Sequence, residues 1–309
     1  MADADVTRLV YLEDSGASFH SGARVGSGRN PVLTGDAWFL CSHSPPPLAP
    51  FLPLRNDEQV LEARNAPDEV ADDDDASAKG TATVVLDATI FYAKGGGQPS
   101  DVGTITSSET GAVFRVVEAT RNREDGTVTL AVEHEAGEAA IAAEAFPIGS
   151  EVEQAVDWEV RTLHSRIHSA GHLIDKGMQD IGATALVPTK GLHYATGSYV
   201  QYDGDIAPDD LAATTEALQA ALDALVDADV ATETKTVPRG ELEAFLGEVP
   251  DYIPETVAMV RVVSVGGMWM PCGGTHVDST GVIGRIRVKV KRKKEKKKRV
   301  IRVSYTLDG

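Results

Sequence analysis

Three of the eight histidines stand four apart, at His164, His168 and His172. The segment His168-Ser169-Ala170-Gly171-His172 is the sharpest feature of the sequence. On a helix, residues four apart share one face with Cβ atoms about 5–6 Å apart, so one metal ion can take both imidazoles. Far along the chain, Pro271-Cys272-Gly273-Gly274-Thr275-His276 sets a cysteine and a histidine in what its two glycines predict to be a tight loop. Thiolate and imidazole are the ligands zinc prefers. Taken singly, the histidine pair also fits a polar, solvent-facing helix, and Cys272 a small buried hydrophobe. Taken together, His168, His172, Cys272 and His276 form a ligand set for one zinc ion. Gly171 in mid-helix costs about 1 kcal/mol against alanine, so some group gains from close approach to the bare backbone there. The Glu of HExxH is missing, which removes the gluzincin protease reading. A zinc deaminase would need a second cysteine in PCxxC. Four protein ligands would close the site, whereas catalytic zinc keeps one position open. Either one candidate is displaced, the ion becomes five-coordinate, or zinc mainly positions the substrate; the favoured expectation is three tight ligands plus water, with His276 the labile one.

A third segment runs Gly95-Gly96-Gly97-Gln98-Pro99-Ser100-Asp101. It lacks the GK[ST] of a phosphate-binding P-loop and fails GxGxxG. By itself it reads as a glycine-rich turn.

The elements that must position these residues follow from periodicity. Asp157 can cap a helix over 158–181, with Leu163, Ile167, Ala170, Ile174, Met178 and Ile181 at helical spacing. Before it, short β-rich runs at 83–86, 103–106, 112–117, 127–134 and 148–152 predict a small barrel or sandwich. After it come a strand over 194–202, helices over 208–228 and 237–246, a strand over 257–265, and a hairpin of 284–290 with 299–305. Near the start, 8–12 reads as a strand. Residues 22–80 hold a proline run and the acid run Asp72–Asp75, which predict loop or disorder broken by one short helix over 56–64. The class is α+β. Residues 1–150 form an N-terminal small β-barrel domain carrying the glycine-rich segment, with a loop-rich insertion at about 22–80. Residues 151–309 form a two-layer α/β domain carrying the metal residues and ending in a basic hairpin.

The chain of 309 residues is 42% hydrophobic, which suffices for one large or two ordinary domains. Its net charge of −18 hides an asymmetry, because 12 basic residues and one acid lie between Arg285 and Arg302, leaving −29 on the rest. Such a basic run suits a polyanion, since phosphates release counterions when neutralised; it equally suits a solvated hairpin tip. The acidic remainder fits a salt-rich cytoplasm, where excess negative charge preserves solubility. No apolar run reaches the roughly 18–20 residues of a membrane helix. The acidic N-terminus has no basic-then-apolar leader, so no secretory signal is expected. Two cysteines make no disulfide scaffold, which favours a reducing compartment and a cytoplasmic location.

The three motifs, in the order TIFYAKGGGQPSDVGTI, RTLHSRIHSAGHLID and MPCGGTHVDSTGVIGRI, resemble the alanyl-tRNA editing proteins (AlaX). These are free-standing relatives of the editing domain of alanyl-tRNA synthetase. The resemblance spans 81–307, and its glycine-rich segment is that of the longer members with an N-terminal domain. Residues 22–80 depart from the pattern. The resemblance implies a small β-barrel followed by an α/β editing domain, and one zinc ion on His168, His172, Cys272 and His276. It implies hydrolysis of tRNA(Ala) mischarged with serine, with glycine as an open second case. Accepting seryl while sparing alanyl ester means reading one hydroxyl, which a polar group does by being left unpaired in its absence. Thr89 matches a threonine position of the longer members and is the candidate, with Gln98 and Asp101 shaping the same wall. Arg161, Arg166, Lys291, Arg292, Lys293 and Lys294 are the candidate tRNA phosphate contacts. A non-catalytic zinc-stabilised tRNA-binding module and a zinc hydrolase of another ester are the rival readings.

Overall fold

Alternating burial builds the first half. Val84, Leu86, Ile105, Phe114, Val116, Leu130, Val132 and Val152 turn inward on successive strands and pack with Phe146 into one apolar cluster. The computed structural model describes residues 8–9, 54–64, 82–122, 125–134, 142–295 and 298–308. In it these positions fall on β3 (Ala82–Leu86), β5 (Gly103–Ser107), β6 (Val113–Arg121), β7 (Val128–His134) and β8 (Glu151–Val156), and Val60 joins them from β2 (Leu54–Arg64). The ladder runs β2-β3-β7-β6-β5-β8, and β8 pairs back onto β2 to close it. The two short strands β1 (Arg8–Leu9) and β4 (Ala88–Thr89) pair in parallel beside it. Helix α1 (Ala142–Ala145) leads into Phe146, which meets Phe114 edge to face at 5.0 Å.

Residues 56–64 are strand, not the expected helix. The free edges of β3 and β8 need a hydrogen-bonding partner, and β2 pairs with both while burying Val60. Tertiary pairing overrides a weak local preference there. Most of the expected insertion, and the strand beyond Leu9, lie outside the described residues.

The second half layers helices on an antiparallel sheet. Helix α2 (Trp158–Asp180) begins where the Asp157 carboxylate accepts the N–H groups of Glu159 and Val160 at 3.0 and 3.1 Å. Helix α3 is Leu211–Asp227. Both bury their apolar faces, Ile167, Leu173 and Ile174 on α2 with Leu218 and Leu222 on α3, against a four-stranded sheet. Its strands β9 (Val187–Leu192), β10 (Tyr199–Asp203), β14 (Ile286–Glu295) and β15 (Lys298–Leu307) lie in the order β14-β15-β10-β9. Strand β9 was not anticipated. It contains Pro188, which only an edge strand accommodates readily. A smaller sheet orders β11 (Glu233–Pro238), β12 (Met259–Val265) and β13 (Met268–Pro271).

The helix expected over 237–246 shrinks to α4 (Leu242–Leu246). The β-branched run before Pro238 pairs with β12 instead, and Val237 is buried opposite Val260. Helix α5 (Thr280–Ile283) connects the Cys272 loop to β14. The chain is thus mixed α+β. Among the described residues no helix is long and apolar enough to cross a membrane.

Candidate metal centre and its cavity

Helix α2 and the loop after β13 meet at the four expected ligands. One ligand atom from each of His168, His172, Cys272 and His276 lies within 4.8 Å of the other three. The Nε2 atoms of His168 and His172 face each other at 3.2 Å, and Cys272 Sγ lies 3.6 Å from His168 Nε2 and 3.3 Å from His276 Nε2. His164, a turn earlier, stays outside the group.

The far nitrogens of two rings are held. His168 Nδ1 donates to Gln98 Oε1 at 2.6 Å, and His276 Nδ1 shares a hydrogen bond with the Ser169 hydroxyl at 3.1 Å. An amide oxygen only accepts, so the first bond fixes the His168 tautomer that leaves its Nε2 lone pair facing the centre, while the second holds the His276 ring by its far nitrogen. Burial holds His172 down to about 3 and holds His168 and His276 well below the ordinary imidazole range, so all three are neutral at pH 7. Burial also raises the Cys272 thiol. Three neutral imidazoles and a thiol aimed at one point fit a divalent cation, and zinc first among them.

The remaining contacts lock the loop. Gln98 reaches across from the glycine-rich segment: its Nε2 donates to Thr275 Oγ1 at 2.8 Å, and its Oε1 accepts the Thr275 N–H at 3.1 Å. Arg261 Nη1 donates to the carbonyls of Cys272 and Gly274 at 2.6 and 3.0 Å. A Cβ on Gly274 would sit 2.1 Å from His168 Cε1, so the second glycine of CGGTH admits the ligand ring.

Gly171 has the same kind of reason. A Cβ there would lie 2.3 Å from His193 Cε1. The motifs gave no hint of His193, a lone histidine in the β9–β10 loop. It is buried, and its ring stacks on His168 at 4.6 Å between centroids. Tyr305 donates its hydroxyl to the Ile167 carbonyl at 3.0 Å and accepts from His193 Nδ1 at 2.6 Å. The misplaced glycine was the one signal that could have announced a neighbour. Gly171→Ala is expected to push His193 off Tyr305 and cost about 1–3 kcal/mol, read as a lower urea midpoint at unchanged m.

A cavity of about 580 Å³ opens over the centre. His168, His172 and Cys272 line it, whereas His276 does not. The glycine-rich segment contributes Lys94–Gly96, β9 contributes Thr189 and Lys190, and α2 contributes Asp175.

The other expected site residues fall elsewhere. Thr89 is buried in the wall of the first half, where its hydroxyl donates to Gln154 Oε1 at 2.7 Å and accepts the Phe91 N–H; it does not line the cavity. Asp101 is also buried away from it, accepting the Tyr92 N–H at 2.5 Å and Arg161 Nε at 2.9 Å. Arg161 is correspondingly buried, with Nη2 on Asp101 and on the Ile90 carbonyl, and so presents nothing to a phosphate. Arg166 is half-buried and donates to the Ile283 carbonyl at 3.1 Å. On the hairpin, Arg292 is spent on Asp205, while Lys291, Lys293 and Lys294 are exposed.

Residues 260–304 match the family described as threonyl and alanyl tRNA synthetase second additional domain, and residues 55–160 that of class II (A) tRNA synthetases. The chain is 29% identical to the alanyl-tRNA editing protein AlaX-M of Methanosarcina mazei over 67% of its own length and 80% of the relative's. It is 30% identical to the alanine–tRNA ligase of Pyrobaculum aerophilum, of which it spans only 22%. With AlaX-M of Methanosarcina acetivorans it shares 31% identity over 67% of its own length and 82% of the relative's. On that coverage, the chain belongs to the alanyl-tRNA editing protein family.

Proposed function

We propose that this protein is a trans-editing aminoacyl-tRNA deacylase that hydrolyses seryl-tRNA(Ala), with one zinc ion held by His168, His172, Cys272 and His276. The observation that carries the reading is the convergence of four metal-type donors, three of them lining a cavity walled by the glycine-rich segment. A zinc ion held by these four residues would supply Lewis-acid polarisation of an ester carbonyl and a more acidic bound water. The rest is the chain's own work. Gln98 and Ser169 orient His168 and His276 through their far nitrogens. His276 has no face on the cavity, so the approach of an ester lies on the side of His172 and Cys272. This argues against His276 as the labile ligand. Residues 1–150 and 151–309 are read as a barrel domain and an editing domain, with tRNA phosphates on Lys291, Lys293 and Lys294. On this reading its place of work is the cytoplasm, with the tRNA it acts on.

Thr89 drops out of the selectivity account, because its hydroxyl is committed to Gln154. Thr89→Val is expected to leave the seryl-to-alanyl rate ratio unchanged and to cost about 1–3 kcal/mol for the buried amide left short of a partner. The hydroxyl-reading group belongs on the cavity wall; Thr189 lines that wall, but its own hydroxyl already donates to the Gln201 carbonyl at 3.1 Å.

The direct test is release of amino acid from seryl-, glycyl- and alanyl-tRNA(Ala), with zinc assayed on the same preparation. Fast loss of serine with alanine spared is the expected result. A zinc-loaded protein that binds tRNA and releases nothing would replace the reading with a non-catalytic RNA-binding module. Cleavage of a small ester without any need for tRNA would replace it with a different hydrolase.

A further inference from the structure

One carboxylate in the cavity wall has no part in the metal site. Asp175 follows His172 by three residues on α2, on the same helix face, with Cβ atoms about 5–6 Å apart. It lines the cavity yet lies outside the group of four converging donors. Tyr202 on β10 donates its hydroxyl to Oδ1 at 2.6 Å, which fixes the carboxylate and leaves Oδ2 for another partner. The adjacent Lys176 is turned to Asp180 instead.

The wall is also sorted by charge. Among the described residues lining it, Asp175 is the one acid, while Arg121 and Lys190 are cations and Lys94, also on the wall, pairs with Glu118 at 3.2 Å. The end of an aminoacyl-tRNA carries both signs: phosphates on the nucleotide and an ammonium on the carbon next to the ester carbonyl. Arg121 and Lys190 suit the first and repel the second. Burial raises Asp175 to about 6, a cost that a cationic ligand beside it would relieve.

We infer that Asp175 is the binding group for the α-ammonium of the esterified amino acid, with Tyr202 as its positioning residue. The inference rests on the deacylase reading for its ligand and deepens it. It means that the site demands a free amine, whatever the side chain, and so separates an aminoacyl ester from an N-blocked one.

The experiment uses the full chain with its zinc content assayed. Its probes are serine joined by a stable amide to 3′-amino-3′-deoxyadenosine and the N-acetyl form of the same compound, with affinities measured by calorimetry. A charge-assisted hydrogen bond predicts that the wild-type protein prefers the free amine by about 10–100-fold. Asp175→Asn keeps an acceptor for Tyr202 and should bring that ratio close to 1; Tyr202→Phe should lower it partway. Equal wild-type affinities, or a ratio unchanged by Asp175→Asn, would overturn the inference. So would slower serine release in that variant with the binding ratio intact, since Asp175 would then be moving a proton. If Asp175→Asn fails to fold, the wild-type ratio and its fall in Tyr202→Phe decide the matter. A wild-type protein that prefers the free amine but releases no serine from seryl-tRNA(Ala) would end the deacylase reading and leave the ammonium site standing.

Discussion

Replacing His168 with alanine is expected to empty the metal site and lower seryl-tRNA(Ala) deacylation by about 10³-fold or more, since metal assistance supplies several kcal/mol and each 1.4 kcal/mol is tenfold. His168 is central to the cluster. Its Nε2 contacts both His172 Nε2 and Cys272 Sγ, and its Nδ1 is the attachment point of the glycine-rich segment through Gln98. Removing the ring takes out one donor and leaves the buried Gln98 carbonyl short of a partner. Gln98→Ala is the graded companion. It keeps all four donors but frees the His168 ring, and loss of such an outer partner typically costs about 10–100-fold in metal affinity or activity. Zinc content by elemental analysis and single-turnover release of serine separate the two. A His168→Ala protein that keeps its zinc and its rate would mean that the cluster is not the reacting centre.

Asp101→Ala is expected to destabilise the protein by about 3–5 kcal/mol, the range for removing one partner of a buried ion pair. The Arg161 guanidinium is buried on α2 and reaches the first half through Asp101 and the Ile90 carbonyl. Without the carboxylate, the Arg161 cation keeps only the Ile90 carbonyl and loses its counter-charge, and the Tyr92 N–H loses the Asp101 oxygen. The measurement is urea unfolding, read as a lower midpoint. The double replacement Asp101→Leu with Arg161→Met should recover much of the loss, because well-packed apolar residues avoid the desolvation penalty. A change of under about 1 kcal/mol would show that the pair adds little, as exposed pairs do. Asp101 and Arg161, expected at the selectivity wall and at a tRNA phosphate, are instead buried on each other between the glycine-rich segment and α2, and neither lines the cavity.

The sequence by itself picked out the four side chains that converge as candidate metal ligands and most of the elements that carry them. Histidines four apart must share a helix face, the apolar stripe from Ile167 to Met178 must turn that helix inward, and glycines beside Cys272 must make a loop. These are local rules, set by the 3.6-residue period and by backbone sterics. Only the tertiary structure decided what surrounds them. Residues 56–64 became strand because two open sheet edges needed them, and 233–238 paired with β12 for the same reason. His193, Asp175 and Lys190 come from separate elements with no shared spacing, so no motif could announce that they line one cavity. Thr89 and Arg161 looked available, since a sequence shows a side chain's chemistry but not its partner. Gln154 and Asp101 had already taken them, and neither side chain lines the cavity where a ligand could reach it.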